Sequence, residues 1–148
     1  MYCLGFAKHE DDLVFIQKTH PRFQYGKLNG VGGHIEGQET PVEAMVREFE
    51  EEAGVATSQT QWLEKGKIAL KGALQVFVFE TELTVDQFTE VKKQALVLKK
   101  LSELNSKPTV EKIHIVDKSL INRLHDENKL MYNVKNILCS KGKNNTYF

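Results

Sequence analysis

The sequence is poor in several features that would assign a protein to a class at once. It has two cysteines and three prolines among 148 residues, and its 20 basic and 20 acidic side chains cancel to a formal net charge of zero. Cys3 and Cys139 stand near opposite ends of the chain, without the close Cys or His spacing of a metal site. This usage argues against a disulfide framework or a structural zinc ion and predicts a reducing, cytoplasmic location.

Two further absences narrow the function. Without a basic excess, the chain is not expected to bind nucleic acid through a broad cationic face, because phosphate neutralisation dominates such binding. A small phosphorylated ligand needs only a local site and is not excluded. Apolar runs are short, none approaching the ~20 residues that span a bilayer, and the apolar stretch 1–7 lacks the basic start of a signal peptide. No membrane partner is therefore expected.

The chain length predicts one domain over 1–140, followed by a polar tail over 141–148 that we expect to be frayed. Hydrophobic periodicity and turn residues predict the elements. Strands are expected over 2–8, 13–18, 61–70, 74–83 and 110–116, helices over 39–54, 88–104, 118–129 and 132–140, and mostly loop over 19–33. The strand over 74–83 is apolar on both faces, which predicts a central position covered by helices on both sides. Strands interleaved with helices indicate a layered α/β domain.

The helix predicted over 39–54 has unusually clear boundaries. Thr40 suits the N-cap, Pro41 the first helical position, and Glu43 completes a Thr-x-x-Glu capping box. Gly54 suits the left-handed position that ends a helix. The helix should therefore run between these residues, which sets the direction of every side chain along it.

This helix has one apolar face and one charged face. At about 100° per residue, the apolar face comprises Val42, Met45, Val46, Phe49 and Ala53, and the charged face comprises Arg47, Glu48, Glu51 and Glu52. Carboxylates three and four residues apart repel one another. A hard divalent cation such as Mg²⁺, which prefers oxygen ligands, would remove that repulsion. On the helix alone, a merely solvated acidic face is an equally good interpretation.

The spacing around the helix carries more information. Residues 33–55 read Gly33-x5-Glu39-x7-Arg47-Glu48-Phe49-x-Glu51-Glu52-x-Gly54-Val55. This pattern resembles the signature of the Nudix hydrolases without a departure, over 23 of 148 residues. The resemblance implies an α/β/α sandwich with a mixed sheet. It also implies hydrolysis of a nucleoside diphosphate linked to a further group X, with Mg²⁺ or Mn²⁺ as cofactor.

The resemblance also implies roles for residues of the signature. Glu48, Glu51 and Glu52 would be metal ligands, one of them serving as general base, and Arg47 would orient a glutamate carboxylate through its fork of donors. Gly33 would present its backbone carbonyl to the metal. Glu39 would be structural or a further metal contact.

A glutamate from a later loop often completes the metal site of this family. Three residues are candidates: Glu90, Glu103 and Glu111. Glu111 is preferred because it precedes a predicted strand. The segment 86–109 between the late strands is longer than a minimal family member would carry, and it could be a lid, a dimer surface or a specificity element. Both a monomer and a homodimer are compatible with the sequence.

The substrate is indicated by a weaker resemblance. The run from Leu28 to Gly33 is similar to the Asn-Gly-x-Gly-Gly entry of Nudix enzymes that sanitise purine nucleoside triphosphates, including oxidised ones. It implies a (deoxy)nucleoside triphosphate cleaved to monophosphate and pyrophosphate, with Asn29 contacting the base. A simple Asn29–Gly30 turn is the alternative. Alternative substrates are ADP-ribose, a dinucleoside polyphosphate or capped RNA.

Other candidate substrate contacts also have more than one interpretation. Tyr132 and Asn133 lie in a segment that resembles a second base-contacting region of those enzymes. Phe23 could stack on a base or simply pack, and Lys18 could meet phosphates or be a surface charge. An alternative of another class is a catalytically inactive Nudix-fold nucleotide sensor. The intact set of Arg47 and the three glutamates argues against it, because a sensor has no chemical reason to keep repulsive carboxylates together.

The zero net charge is an average over two unlike parts. Residues 33–55 contain seven glutamates and one arginine, a net charge of −6, while the rest of the chain carries 19 basic and 13 acidic side chains, or +6. Neutrality therefore conceals a concentrated acidic patch within a mildly basic protein. A bound metal would largely neutralise that patch, leaving a protein that attracts an anionic nucleotide.

Overall fold

The computed structural model describes residues 1–19, 24–69, 74–104, 111–131, 134–139 and 145–147. Its strands are β1 (Tyr2–His9), β2 (Asp12–Gln17), β3 (Leu28–Asn29), β4 (Val31–His34), β5 (Leu63–Ala69), β6 (Gln75–Glu82), β7 (Lys112–Asp117) and β8 (Asn145–Tyr147). Its α-helices are α1 (Pro41–Ala53), α2 (Val85–Leu104), α3 (Ile121–Asp126) and α4 (Val134–Cys139). The mixed α/β class predicted from the sequence is confirmed.

The strands form one mixed sheet around β1. Strand β1 pairs antiparallel with β2 and β4 and parallel with β6, with Tyr2 opposite Val76. Strand β5 pairs antiparallel with β6, and β7 pairs antiparallel with β2. Strand β6 therefore lies between β1 and β5, the central position that its two apolar faces predict.

Helices cover both faces of the sheet. Alternate residues of β1 point to opposite sides: Cys3 belongs to the cluster beneath α1 and α2, whereas Phe6 belongs to the cluster beneath α3 and α4. In the first cluster Phe49 of α1 packs edge-on against Trp62, with ring centroids 5.4 Å apart. In the second, Phe6 meets Phe15 in a similar edge contact at 6.3 Å. Apolar side chains alternating across a pleated sheet thus produce the α/β/α sandwich.

The prediction of mostly loop over 19–33 is wrong for its second half. Strands β3 and β4 lie there, and β4 pairs with the first half of β1, with Gly32 opposite Leu4. A side chain on Gly32 would run into the backbone carbonyl of Cys3. Glycines that indicate loops in isolation here allow two backbones to approach closely.

The ends of other elements differ from the predictions by a few residues. Helix α2 starts at Val85 rather than 88, because Thr84 and Gln87 hydrogen-bond reciprocally at 3.0 and 3.1 Å and cap the helix. In the tail, which was predicted to be frayed, Asn145–Tyr147 instead pairs in parallel with β5. No helix in the described parts of the chain is long and apolar enough to cross a membrane.

Candidate active site

Helix α1 has the boundaries that its capping residues predict. The hydroxyl of Thr40 accepts a hydrogen bond from the Glu43 amide at 3.3 Å, and the Glu43 carboxylate accepts one from the Thr40 amide at 3.0 Å. At the other end, Gly54 has a φ of 74°, and its amide donates to the Glu50 carbonyl at 3.0 Å. Both ends are anchored by the sequence itself, so the charged residues between them have a fixed register.

The inner face of α1 includes one glutamate that the helical pattern places in solvent. Met45, Phe49 and Ala53 are buried as predicted, but Glu48 is also buried, with only 9% of its surface exposed. The room for it comes from the neighbouring strand β4, where a Cβ on Gly33 would lie 2.5 Å from the Glu48 Oε1. The solvated acidic face, which the helix alone left open as an interpretation, therefore does not hold for Glu48, because the helix wheel does not include the space left by a glycine.

Arg47 connects three segments at the centre of the site. Its Nε and Nη2 donate to the two oxygens of Glu39 at 2.7 and 2.9 Å, a bidentate pair. Nη2 also donates to the His34 carbonyl at 2.9 Å, and Nη1 donates to Glu48 at 2.9 Å and to Glu51 at 3.3 Å. This pairing lowers the pKa of Glu39 and raises that of Arg47, mainly through their mutual hydrogen bonds. Glu39 thus fixes the position of Arg47, and Arg47 in turn binds Glu48 and Glu51.

Glu52 is the most perturbed carboxyl group of α1. Its pKa is raised to about 8, first by burial and then by the charges of Glu111 and Glu48, whereas a hydrogen bond from the backbone of Gly32 and the charge of Lys18 oppose the shift. The Gly32 amide donates to its Oε2 at 3.1 Å. Burial also raises the pKa of Glu48, opposed by the bonds from Arg47. Three acidic groups from α1 and the start of β7 therefore face one partly buried space.

Glu111 is the later glutamate that the structure brings to this space. Its Oε2 is buried and has no hydrogen-bond partner among the described residues, and Lys18 Nζ is 3.8 Å away, beyond hydrogen-bonding distance. Glu90, by contrast, is exposed on α2 and pairs with Lys93 at 3.1 Å, and Glu103 is exposed near the end of that helix. Of the three candidates, Glu111 is the one beside Glu52.

The donor set has the chemistry of a site for a hard cation. A buried carboxylate oxygen without a partner is costly, and a buried acid with a raised pKa reports that negative charge lacks compensation. Among the described residues, no three acidic, His or Cys side chains are already arranged around one point as metal ligands. Glu51, with 58% of its side chain exposed, is turned towards Arg47. The oxygen donors of Glu48, Glu52 and Glu111 are of the kind that a hard divalent cation prefers.

Of the predicted substrate contacts, Asn29 and Lys18 lie among the described residues. Asn29 Oδ1 accepts a hydrogen bond from the Gly30 amide at 2.8 Å, which is the local turn interaction. Its strand lies beside the segment of Leu130, since the Leu28 amide donates to the Lys129 carbonyl at 2.8 Å. Lys18 lies at Glu111, within the acidic site. Phe23, Tyr132 and Asn133 lie outside the described residues.

Sequence reasoning did not identify two backbone groups that shape the site. The carbonyl of His34 orients Arg47, and the amide of Gly32 holds Glu52. Main-chain groups leave no mark of their own in a sequence. The only available signal was the Gly32–Gly33 pair before the signature, which allows the strand to pass close to the helix.

Comparisons with known proteins agree with this geometry. The family model described as the NUDIX domain matches residues 3–112. A MutT structure from work on Aliivibrio salmonicida and Vibrio cholerae is similar with a TM-score of 0.61 at 16% identity, over 95% of this chain and 96% of that chain.

A MutT/Nudix family protein from Enterococcus faecalis has a TM-score of 0.50 at 18% identity, over 55% of this chain. The match spans about a third of that longer protein, 36% of its length. No curated protein matches the chain in sequence. The match to the domain model covers well over half of the 148 residues, and the sandwich has the architecture of these solved structures. The chain therefore belongs to the Nudix family.

Proposed function

We propose that this protein hydrolyses a (deoxy)nucleoside triphosphate, with a purine or oxidised purine as its base, to the nucleoside monophosphate and pyrophosphate. The reaction adds one water across a P–O–P linkage and requires a divalent cation, Mg²⁺ or Mn²⁺. The observation that carries the proposal is the group of Glu48, Glu52 and Glu111. Three carboxyl groups share a partly buried space, and one of their oxygens has no hydrogen-bond donor in the part of the chain that the structure describes.

Each part of the site has a task in this chemistry. A divalent cation bound by these carboxylates would neutralise phosphate charge and activate water for attack. Arg47 fixes the positions of Glu48 and Glu51 through its bonds to Glu39 and the His34 carbonyl. Gly33 would present its backbone carbonyl to the cation, and its lack of a side chain leaves room for the Glu48 carboxylate beside it.

Glu52 is the residue best placed to accept a proton from the attacking water. Its pKa of about 8 lies near neutral pH, the range in which a group exchanges protons readily. A cation would lower that pKa and favour the carboxylate form. The proton taken from water would then pass through this group to solvent, while the pyrophosphate leaves with the bridging oxygen.

The function is tested by a panel of nucleotides incubated with Mg²⁺ and resolved by ion-exchange chromatography. We expect purine nucleoside triphosphates to give monophosphate and pyrophosphate in equal amounts. Glu52→Gln should lower turnover at least ~10²-fold in a protein that remains folded. Glu50→Gln is the matched control, since Glu50 is exposed on the same helix and distant from the site. Equal turnover by both variants, or binding without hydrolysis by the wild type, would exclude the proposal.

Base recognition is tested separately with Asn29→Ala. We propose that the Asn29 side chain contacts the base; its strand adjoins Leu130, just before the Tyr132–Asn133 segment. Loss of one hydrogen bond of ~0.5–1.5 kcal/mol should raise KM for a purine triphosphate about 2–10-fold with little change in kcat. Asn122→Ala, at an exposed position of α3, is the control. If KM is the same in both variants, Asn29 serves only the turn to Gly30.

We also propose a cytoplasmic location for the enzyme. Cys3 is buried and Cys139 is exposed, and both are free thiols. Burial raises the pKa of Cys3 to about 11, so this thiol stays protonated and unreactive. An exposed free thiol such as Cys139 is stable in a reducing compartment, which supports the location.

A further inference from the structure

A small polar cavity lies beside the candidate metal site, at the start of β7. It has a volume of about 60 Å³. Its walls come from the end of β2, from the first residue of β7 and from helix α2, and they include Lys18, Lys112 and Ser102. The remaining lining residues are Gln17, Thr19, Tyr25 and Gly26. The cavity is therefore bordered by two lysines and by several side chains that can donate hydrogen bonds.

The two lysines give the cavity an excess of positive charge. Lys18 Nζ is 3.8 Å from Glu111, which leaves its ammonium hydrogens free of a short bond to that group. Lys112 is half-buried, and among the described residues no acidic side chain pairs with it. A partly buried ammonium group is costly without an anion. The cavity thus favours an anionic ligand.

The size and position of the cavity limit that ligand. Its volume is well below the ~300–1,000 Å³ of pockets that enclose a whole drug-sized molecule. A single tetrahedral phosphate group suits it, whereas a base or sugar does not. Because Lys18 touches both Glu111 and the cavity, a phosphate held there would be adjacent to the groups that hold the cation.

We infer that this cavity is a subsite for the terminal phosphate of the substrate, and for the pyrophosphate that leaves, with Lys112 and Ser102 as its specific contacts. The inference rests on the proposed function and assigns a role to helix α2. Ser102 is on the last turn of α2, so that helix forms a wall of the substrate site.

A neighbouring groove is also lined by positively charged side chains. It has a volume of about 520 Å³ and runs between α2 and β7, with Lys112 shared between the two spaces. Lys92 and Lys99 of α2 line it, together with His114 and apolar residues, and none of the described residues in its lining is acidic. Lysines along this edge raise the local potential and favour the approach of a polyphosphate towards Lys112.

Direct binding of inorganic pyrophosphate tests the subsite without requiring catalysis. Isothermal titration in EDTA is used first, so that no cation mediates the contact. We expect Lys112→Met to weaken pyrophosphate binding about tenfold and Ser102→Ala about 2–10-fold, as loss of a charge-assisted and of a neutral hydrogen bond implies. Lys93→Met is the matched control, since Lys93 is exposed on α2 and pairs with Glu90. Unchanged thermal midpoints verify that the variants fold.

Steady-state kinetics provide the second readout. Lys112→Met should raise KM for a nucleoside triphosphate while inhibition by the nucleoside monophosphate stays as in wild type, because the monophosphate has no terminal group for the cavity. If the wild type binds no pyrophosphate at millimolar concentration, or if Lys112→Met binds it as well as Lys93→Met does, the subsite is excluded. Pyrophosphate binding that depends on Lys112 in a protein that hydrolyses no nucleotide would keep the subsite and exclude the enzymatic proposal. If Lys112→Met does not fold, Lys112→Gln replaces it in the same comparison.

Discussion

Arg47 shows how much of this site depends on the shape of one side chain. Its planar group binds Glu39 through two parallel bonds and still reaches Glu48, Glu51 and a backbone carbonyl. A lysine carries the same charge but has only one nitrogen, so it cannot bridge these groups together. Positive charge alone would therefore not keep the carboxylates in place.

Arg47→Lys should accordingly destabilise the fold and impair catalysis. We expect the free energy of unfolding to fall by about 1–3 kcal/mol, because several hydrogen bonds to charged groups are lost, and turnover to fall about tenfold or more. Urea denaturation and initial rates measure the two effects. Arg123→Lys is the control, since Arg123 is exposed and its ion pair with Glu127 is 3.6 Å long. Such pairs contribute ~0–1 kcal/mol, and an equal effect at both positions would mean that the fork geometry of Arg47 is unimportant.

The raised pKa of Glu52 gives the metal-free protein a defined pH dependence. The folded state binds this proton more tightly than the unfolded chain, since the pKa is about 8 against an ordinary value of 4.5. The stability due to the proton is therefore fully present below about pH 4.5 and is lost as the pH rises through about 8. Glu52→Gln, which resembles the protonated acid, should remove this loss.

Urea denaturation in EDTA at pH 5, 7 and 9 measures this effect. The wild type should lose stability relative to Glu52→Gln across the series, and saturating Mg²⁺ should restore the wild type at pH 9, because a cation bound by the carboxylates stabilises the folded state by mass action. Glu50→Gln provides the reference for an exposed glutamate. Parallel pH profiles for the wild type and Glu52→Gln would mean that Glu52 is not buried as an uncompensated acid.

The sequence predicts some features of these residues but not others. The spacing of Arg47, Glu48 and Glu52 on one helix follows from 3.6 residues per turn, and the helix pattern predicts it. Burial of Glu48 and the proximity of Glu111 depend on where another strand lies. The pairing of the strands in the sheet determines both features, so neither the helical periodicity nor the spacing of the motif can predict them.

Among the elements, α1 is the most predictable because its stop and start signals are local. Thr40, Glu43 and Gly54 determine its ends through contacts within a few residues. Strands β3 and β4 are the least predictable, since they are two and four residues long and exist through pairing with β1 and β2. Tertiary pairing thus overrides a local composition that is typical of loops.

Substitution of Gly54 tests whether the contact between the end of α1 and helix α2 stabilises the fold. It has a φ of 74°, and a Cβ there would lie 3.1 Å from the Gln94 side chain of α2. Gly54→Ala should lower the free energy of unfolding by about 1–2 kcal/mol through the left-handed backbone, and somewhat more because Gln94 must move. Gly37→Ala is the matched control: its φ is 50°, and a Cβ there meets nothing within 4 Å. Equal losses in urea denaturation would show that the contact with α2 contributes nothing.

In the whole molecule, the helices on the two faces of the sheet contribute differently to the candidate site. Helices α1 and α2 cover one face of the sheet, α1 bearing the signature glutamates and α2 a wall of the polar cavity, while α3 and α4 complete the core on the other face. The sandwich follows from the alternation of strands and helices and was predictable. The relation of α2 to the acidic site was not, because its amphipathic pattern specifies which face is buried but not which strand it covers.

The charge distribution predicts that the KM for a nucleoside triphosphate depends on salt concentration. Residues 33–55 carry −6 and the rest of the chain +6, so cation binding to the acidic site leaves a surface that attracts polyphosphates. The Debye length falls from ~10 Å at 0.1 M salt to ~3 Å at 1 M, which screens this attraction. KM for a nucleoside triphosphate at saturating Mg²⁺ should therefore rise about tenfold between 0.05 and 0.5 M KCl, with kcat nearly constant.

Inhibition by the uncharged nucleoside should not change over the same salt range, which separates electrostatic attraction from contacts to the base. A KM independent of salt would mean that the basic side chains are too dispersed to act on the ligand. In that case the affinity for phosphate arises only from groups in direct contact, namely the bound cation, Lys18 and Lys112.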